Sequence, residues 1–232
     1  MMHGPLPSHL PAAPAAATPE LDVVHADALL LVLNKPSGLL AVPGRGEDKQ
    51  DCLSRRVQRH YPDALIVHRL DMATSGLMLM ARGLVMQRAL GKAFESREVH
   101  KRYVAVVDGC LRPAESPDGW GLIDLPIAVD WPRRPLRIID AALGKPSQTR
   151  WRAMAFDEAT HSTRVELEPL TGRSHQLRVH MQALGHPMLG DTLYAPEAVQ
   201  ARAPRLLLHA ASLRLEHPAS GALLCFESTP GF

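Results

Sequence analysis

Leu65-Ile66-Val67-His68-Arg69-Leu70-Asp71-Met72-Ala73-Thr74-Ser75-Gly76-Leu77-Met78-Leu79-Met80-Ala81 holds two short apolar runs separated by a polar loop. Residues 65–67 and 76–81 have the length and continuous apolar character of strands, and Thr74-Ser75-Gly76 punctuates the entry to the second. The loop presents one carboxylate, Asp71, at a strand–turn junction, where a rigid scaffold can deliver a side chain to the mouth of a cleft. A lone Asp before Ser-Gly is equally a turn former, so its chemistry depends on what else converges there.

Outward from this segment, Ala28 to Asn34 reads as a strand ended by the turn Lys35-Pro36-Ser37-Gly38, and residues 51–60 as an amphipathic helix on Leu53 and Val57. Residues 84–98 are helical in pattern, with Leu90 and Phe94 four apart on one face. Tyr103 to Val107 is a strand closed by Asp108-Gly109. Residues 110–146 give only weak strand signals, whereas Thr149–Phe156 and Thr163–Leu167 alternate like a strand pair. A helix is expected from Ser174 to Leu184, stopped by Gly185 and Pro187, and strands at 206–208 and 222–226 complete the chain. Strands dominate without a regular βαβ rhythm, which predicts an α+β class with a largely antiparallel sheet.

The 232 residues carry 46% hydrophobic and 22% charged side chains, ordinary for a globular protein, and a net charge of +2 that does not by itself point to nucleic acid. Three scattered cysteines without a CxxC fit a reducing compartment. No apolar run approaches the roughly 20 residues of a membrane span. A cytoplasmic protein is expected, with residues 1–19 as a disordered Ala/Pro-rich tail and 20–232 as a single catalytic domain.

A second polar motif is Thr171-Gly172-Arg173-Ser174-His175-Gln176-Leu177-Arg178-Val179-His180. Helical spacing puts His175, Arg178 and Gln182 on one face and Leu177, Met181 and Leu184 on another. Arg178 on the polar face can neutralise a carboxylate or phosphate through charge-assisted hydrogen bonds, or simply be solvated.

The HRLD stretch with Thr74-Ser75-Gly76, the segment Lys101-Arg102-Tyr103-Val104-Ala105, and TGRSHQLRVH followed by Gly185-His186-Pro187-Met188-Leu189-Gly190-Asp191 together resemble the RluA family of pseudouridine synthases. The resemblance runs from Lys35-Pro36-Ser37-Gly38 to the last strands and is nearest to the subgroup for which the family is named. It implies the pseudouridine synthase fold, a mostly antiparallel mixed sheet with flanking helices and a central RNA-binding cleft. It implies isomerisation of uridine in RNA, exchanging an N1–C1′ bond for C5–C1′, with no cofactor and no metal. Asp71 takes the role of the catalytic carboxylate, attacking the sugar or removing a C2′ proton. Arg178 is its salt-bridge partner, and Tyr103 faces the base with a hydroxyl that can assist at C5. Arg69 is the candidate to fill the space of a flipped nucleotide or to contact phosphate. Lys35, Arg45 and Arg173 are candidate RNA-backbone contacts, and His68, Thr74, His175 and Gln176 complete the substrate-binding set. The implied RNA is a stem-loop of 23S rRNA, the anticodon arm of tRNA, or both; a monomer without a membrane partner is expected from the small size and the absence of a long exposed apolar segment.

Three other readings compete. His175, His180, His186 and Asp191 lie close in sequence, but their spacing does not place ligands on one helical face and HExxH is absent. A kinase-like loop fails because HRLD is not HRD and no glycine-rich phosphate loop precedes it. The serious rival is an RNA-binding protein that has lost catalysis, against which stands the joint presence of Asp71, Tyr103 and Arg178.

Overall fold

The computed structural model describes residues 21–232, so the expected N-terminal tail lies outside the described residues. Along the chain run β1 (Val23–Ala26), β2 (Leu30–Lys35), α1 (Leu53–Gln58), β3 (Ala64–Ile66), β4 (Ser75–Arg82), α2 (Leu84–Glu95), β5 (His100–Asp108), β6 (Gly121–Asp124), β7 (Ile127–Val129) and β8 (Arg137–Ile139). Then follow β9 (Gln148–Asp157), β10 (Ser162–Pro169), α3 (Gln176–Ala183), α4 (Glu197–Gln200), β11 (Leu208–Glu216) and β12 (Leu223–Glu227). Ten strands form one sheet along the path β1-β2-β4-β11-β5-β10-β9-β6, with β3 on β4 and β12 on β11, while β7 and β8 form a separate hairpin. Every pairing is antiparallel except that of β4 with β11.

The two halves of the sheet bury their strands differently, and their sequences show why. In β2 and β4, Leu31, Leu33, Met78 and Met80 enter one core cluster, while Leu30, Val32, Leu77 and Leu79 enter a second on the opposite face. Strands covered on both faces read as continuous apolar runs. In β5 and β10 only alternate residues, Tyr103, Ala105 and Val107 with Val165 and Leu167, enter the core. Helix α1 contributes Leu53 and Val57 to the first cluster, α3 contributes Leu177 and Met181, and α2 covers the second with Met86 and Leu90.

Two boundaries depart from expectation. The last long strand begins at Leu208 and runs to Glu216, because Leu206 is buried as a core side chain and Leu207 is bonded through its backbone to Leu189 and Val106. Helix α3 begins at Gln176, because His175 has left-handed backbone angles (φ 59°, ψ 14°). The short β1 and α4 carry no periodic signal of their own.

The parallel β4–β11 seam brings the starts of both strands to one end of the sheet, pairing Ser75 with His209 and Gly76 with Ala210. Gly76 has φ +107°, and a Cβ there would sit 2.3 Å from the Ala210 carbonyl oxygen and 2.6 Å from its nitrogen. Only glycine allows this approach. Gly76→Ala is therefore expected to cost about 3 kcal/mol in urea unfolding, from steric overlap and backbone strain. Gly91→Ala, inside α2 where an added Cβ meets nothing within 4 Å, should instead stabilise by about 0.5–1 kcal/mol; equal effects would contradict the seam's dependence on Gly76.

Candidate active site

Asp71 lies in the loop leading into β4, and that loop is held from below by the turn after β2. The Lys35 ammonium donates to the carbonyls of Pro36 (2.8 Å), Leu39 (2.8 Å) and Met72 (3.1 Å). Gly38 N–H donates to the same Met72 carbonyl (2.8 Å), Ser37 Oγ donates to Ala73 O (2.7 Å), and Thr74 N–H closes the turn onto Asp71 O (3.1 Å). An ammonium has three protons, and all three are used here. Lys35 is therefore a buried brace, 1% exposed, and not the RNA-backbone contact expected from sequence. Burial pulls its pKa down to about 8, opposed by the nearby Asp71 charge.

A cleft of about 720 Å³ opens over Asp71, lined by the 67–74 loop, the start of β5, the end of β10 and the 171–178 segment. Asp71 keeps 27% of its side chain exposed to it. Tyr103 forms part of its lining, buried on β5, where burial and the neighbouring Asp71 raise the phenol pKa and keep the hydroxyl protonated at neutral pH. A protonated phenol offers its ring face and a hydrogen bond and is a poor base.

Arg178 does approach Asp71, with Nη1 3.9 Å from Oδ2, a charge contact longer than a hydrogen bond. Its principal partner is Asp191, to which it donates from Nε (2.8 Å) and Nη2 (2.5 Å). Asp191 is itself fixed by accepting the N–H groups of Leu193 (2.9 Å) and Tyr194 (3.2 Å), and the Tyr194 ring lies 5.0 Å from the guanidinium carbon. Of the two readings of Arg178, the solvated one is excluded because the side chain is 3% exposed; His175, placed on the same helical face by spacing, instead precedes the helix.

The remaining expected residues divide into braces and rim groups. Gln176 is buried; its Oε1 accepts from Thr171 Oγ1 (2.8 Å) and Arg173 N–H (3.0 Å), and its amide donates to Gln148 O (2.9 Å) and Thr149 Oγ1 (3.0 Å). It shapes the 171–176 loop and has no free hydrogen-bonding group for RNA. His68 lines the cleft, but its Nε2 accepts from Leu79 N–H (2.8 Å) and its ring stacks on Phe94 at 4.6 Å. The acceptor role requires neutral imidazole, and burial with the nearby Lys101 charge pulls its pKa to about 3. Thr74 is buried and serves the turn. His175 reaches the cleft with Nδ1 2.6 Å from the Tyr194 hydroxyl, which also accepts from Arg137 N–H (2.9 Å). Burial lowers the His175 pKa, which favours the neutral ring whose Nδ1 can accept a hydrogen bond from the Tyr194 hydroxyl.

Arg69 and Arg173 are exposed on the rim, as expected, with Arg69 Nη2 3.5 Å from Ser174 Oγ. Arg45 is exposed in the turn closed by Gln50 onto Gly44 and Gly46, outside the cleft lining. Sequence reasoning gave no role in the site to Asp191, Tyr194, Arg97 or Lys101, although all but the first two line the cleft directly. The Gly190-Asp191 pair stood in a quoted motif, but no periodicity joins it to Arg178. In all, five cations and three carboxylates line the cleft, which suits a polyanion. Among the described residues no group of three His, Cys, Asp or Glu is placed to hold a metal ion. His180 is instead spent on Thr149 Oγ1 (2.9 Å) and Leu125 O (3.0 Å), and His186 on Asp108 O (2.7 Å).

The model of the RNA pseudouridylate synthase family matches residues 29–183. The dual-specificity RNA pseudouridine synthase RluA of Escherichia coli O6:H1 is 50% identical over 214 residues, covering 92% of this chain and 95% of the relative. The RluA of Yersinia pestis is 47% identical over 210 residues, covering 90% and 99%. Among solved structures, human RNA pseudouridylate synthase domain containing 1 superposes with a TM-score of 0.74 at 28% identity, covering 90% of this chain and 83% of that one.

The contrast between buried and rim arginines is measurable. Asp191→Ala should cost about 3–5 kcal/mol in urea unfolding by stranding a buried guanidinium, whereas Arg173→Ala should stay within about 0.5 kcal/mol of wild type. His68 has a folded pKa of about 3 against an ordinary 6.5. Its stabilising contribution is complete above 6.5 and is lost as the pH falls through that window towards 3, because the unfolded chain binds the proton first. His68→Gln keeps an acceptor for Leu79 without titrating, so its urea midpoint should fall less steeply between pH 6.5 and 4 than that of wild type.

Proposed function

The chain belongs to the RNA pseudouridylate synthase family and is an RNA pseudouridine synthase with that family's fold, and we propose that Asp71 is its catalytic carboxylate. The observation that carries the assignment is the placement of Asp71, partly exposed in a cleft that Tyr103 also lines, with the buried Arg178 cation 3.9 Å away. The substrate uridine enters that cleft with its base against Tyr103 and its sugar at Asp71. The carboxylate, in its ionised form, attacks C1′ and is later displaced by C5, or takes a C2′ proton and later returns it; in either case the N1–C1′ bond breaks, and the base turns to join C5 to C1′. The C5 proton then leaves, and N1 ends protonated, so the reaction is an isomerisation. Arg178 attracts the anion of Asp71 while Asp191 holds the guanidinium in place. Arg69, on the rim, fills the gap left in the RNA stack or meets a phosphate.

The substrates we propose are a stem-loop of 23S rRNA and the anticodon arm of tRNA, by analogy with relatives named as dual-specificity enzymes. The protein acts without cofactor or metal, as a cytoplasmic monomer, with residues 20–232 as its catalytic domain. Incubation with each stem-loop separately, followed by carbodiimide-dependent reverse-transcription mapping, tests both parts. Wild type should create a new stop in both RNAs. Asp71→Asn should abolish the stops, a loss of at least about 10³-fold, while RNA affinity stays within about threefold. Product from Asp71→Asn at the wild-type rate would remove Asp71 from the chemistry, and no product from wild type would favour an RNA-binding protein without catalysis.

A further inference from the structure

Between β6 and β9 the chain leaves the main sheet to form the β7–β8 hairpin, whose tip is Trp131-Pro132-Arg133-Arg134-Pro135. The reaction at Asp71 uses none of these residues. One side of the hairpin is anchored: Ile127, Leu136 and Ile139 pack with Val179 of α3 and with Tyr194. The tip faces water. Trp131 is 66% exposed, and the Arg134 guanidinium carbon lies 4.8 Å from its ring centroid. Arg133 is held by the buried carboxylate of Asp130 through Nε (2.7 Å) and Nη2 (2.6 Å), which fixes the base of the tip.

The hairpin is also tied to the active-site cleft at two points. Arg137 N–H donates to the Tyr194 hydroxyl, which bonds His175 on the cleft wall. Lys145 exchanges backbone hydrogen bonds with Ile127 (2.9 and 3.0 Å), and the next residue, Pro146, accepts from Arg173 Nε on the cleft rim (3.4 Å). Exposed cations thus stand at each stage of this connection: Arg173 on the cleft rim, Lys145 at the base of the hairpin and Arg134 beside the exposed indole at its tip.

We propose that the Trp131–Arg134 tip is a docking platform for an unpaired base of the substrate RNA, separate from the uridine that enters the cleft. The inference rests on the reading that the cleft takes RNA. A nucleobase stacks on an indole whatever its identity, and an adjacent guanidinium adds cation–π and phosphate contacts. The cationic approach favours this polyanion over an apolar peptide. The platform grips the RNA beyond the reacting nucleotide and acts on binding, not on the bond-breaking step.

The test is fluorescence anisotropy with labelled 23S rRNA and tRNA anticodon stem-loops, using the full chain carrying Asp71→Asn so that the RNA is not turned over. Adding Trp131→Ala should weaken binding roughly 5- to 150-fold, the range for loss of one stacked base. Trp131→Phe should recover most of that loss. Arg134→Ala should lower the slope of log affinity against log salt by just under one. With Asp71 intact, the Trp131→Ala defect in pseudouridine formation should appear in KM. Wild-type affinity in Trp131→Ala, or a Trp131→Phe variant as weak as the alanine one, would overturn the platform. Absence of pseudouridine with the unaltered protein would instead count against the catalytic reading, and the affinity comparison would still decide the platform.

Discussion

Arg178 carries its charge in a place almost closed to water, and a guanidinium so buried destabilises a fold unless its donors are matched. Asp191 supplies that match with a two-point hydrogen bond, and its own Oδ1 is spent on the backbone of the turn that contains it. The remaining Nη1 is thereby aimed across the cleft at Asp71. This one cation joins helix α3 to the 190–194 turn and faces the loop before β4. The β7–β8 hairpin joins the same system through Tyr194, whose hydroxyl links Arg137 to His175.

A second constraint sets the position of Asp71 itself. The turn after β2 and the loop before β4 are far apart in the chain but share the Met72 carbonyl, which accepts from both Lys35 and Gly38. One more contact, Ser37 to Ala73, ties the loop down without touching the Asp71 carboxylate. Pre-organisation of this kind comes from side chains that never meet substrate. The close approach at Gly76 sets the start of β4 directly against β11, which in turn pairs with β5 at Tyr103.

Much of the architecture is legible in the residues. The runs in β2 and β4 announce strands covered on both faces, and the alternation in β9 and β10 announces a strand pair with one face buried. The amphipathic spacing of Leu53 with Val57, and of Leu90 with Phe94, marks α1 and α2. The short β6, β7 and β8 are weak in sequence because three or four residues carry too little pattern, and long-range pairing decides them. Helical spacing misplaced His175, because a left-handed residue breaks the period before the helix begins.

From sequence alone came the reaction class: a carboxylate, an arginine and a tyrosine in motifs that resemble one family, with Arg69 and Arg173 as candidate RNA contacts. Tertiary structure alone decided which polar residues are tools and which are supports. Lys35, His68 and Gln176 share the motifs of the site, yet their donors and acceptors are consumed by backbone and neighbouring side chains. The physical reason is desolvation. Whether a polar group is free to meet a ligand depends on what packs around it, and for Lys35 and Gln176 part of that surround, Met72 and the Gln148-Thr149 strand, comes from segments tens of residues away.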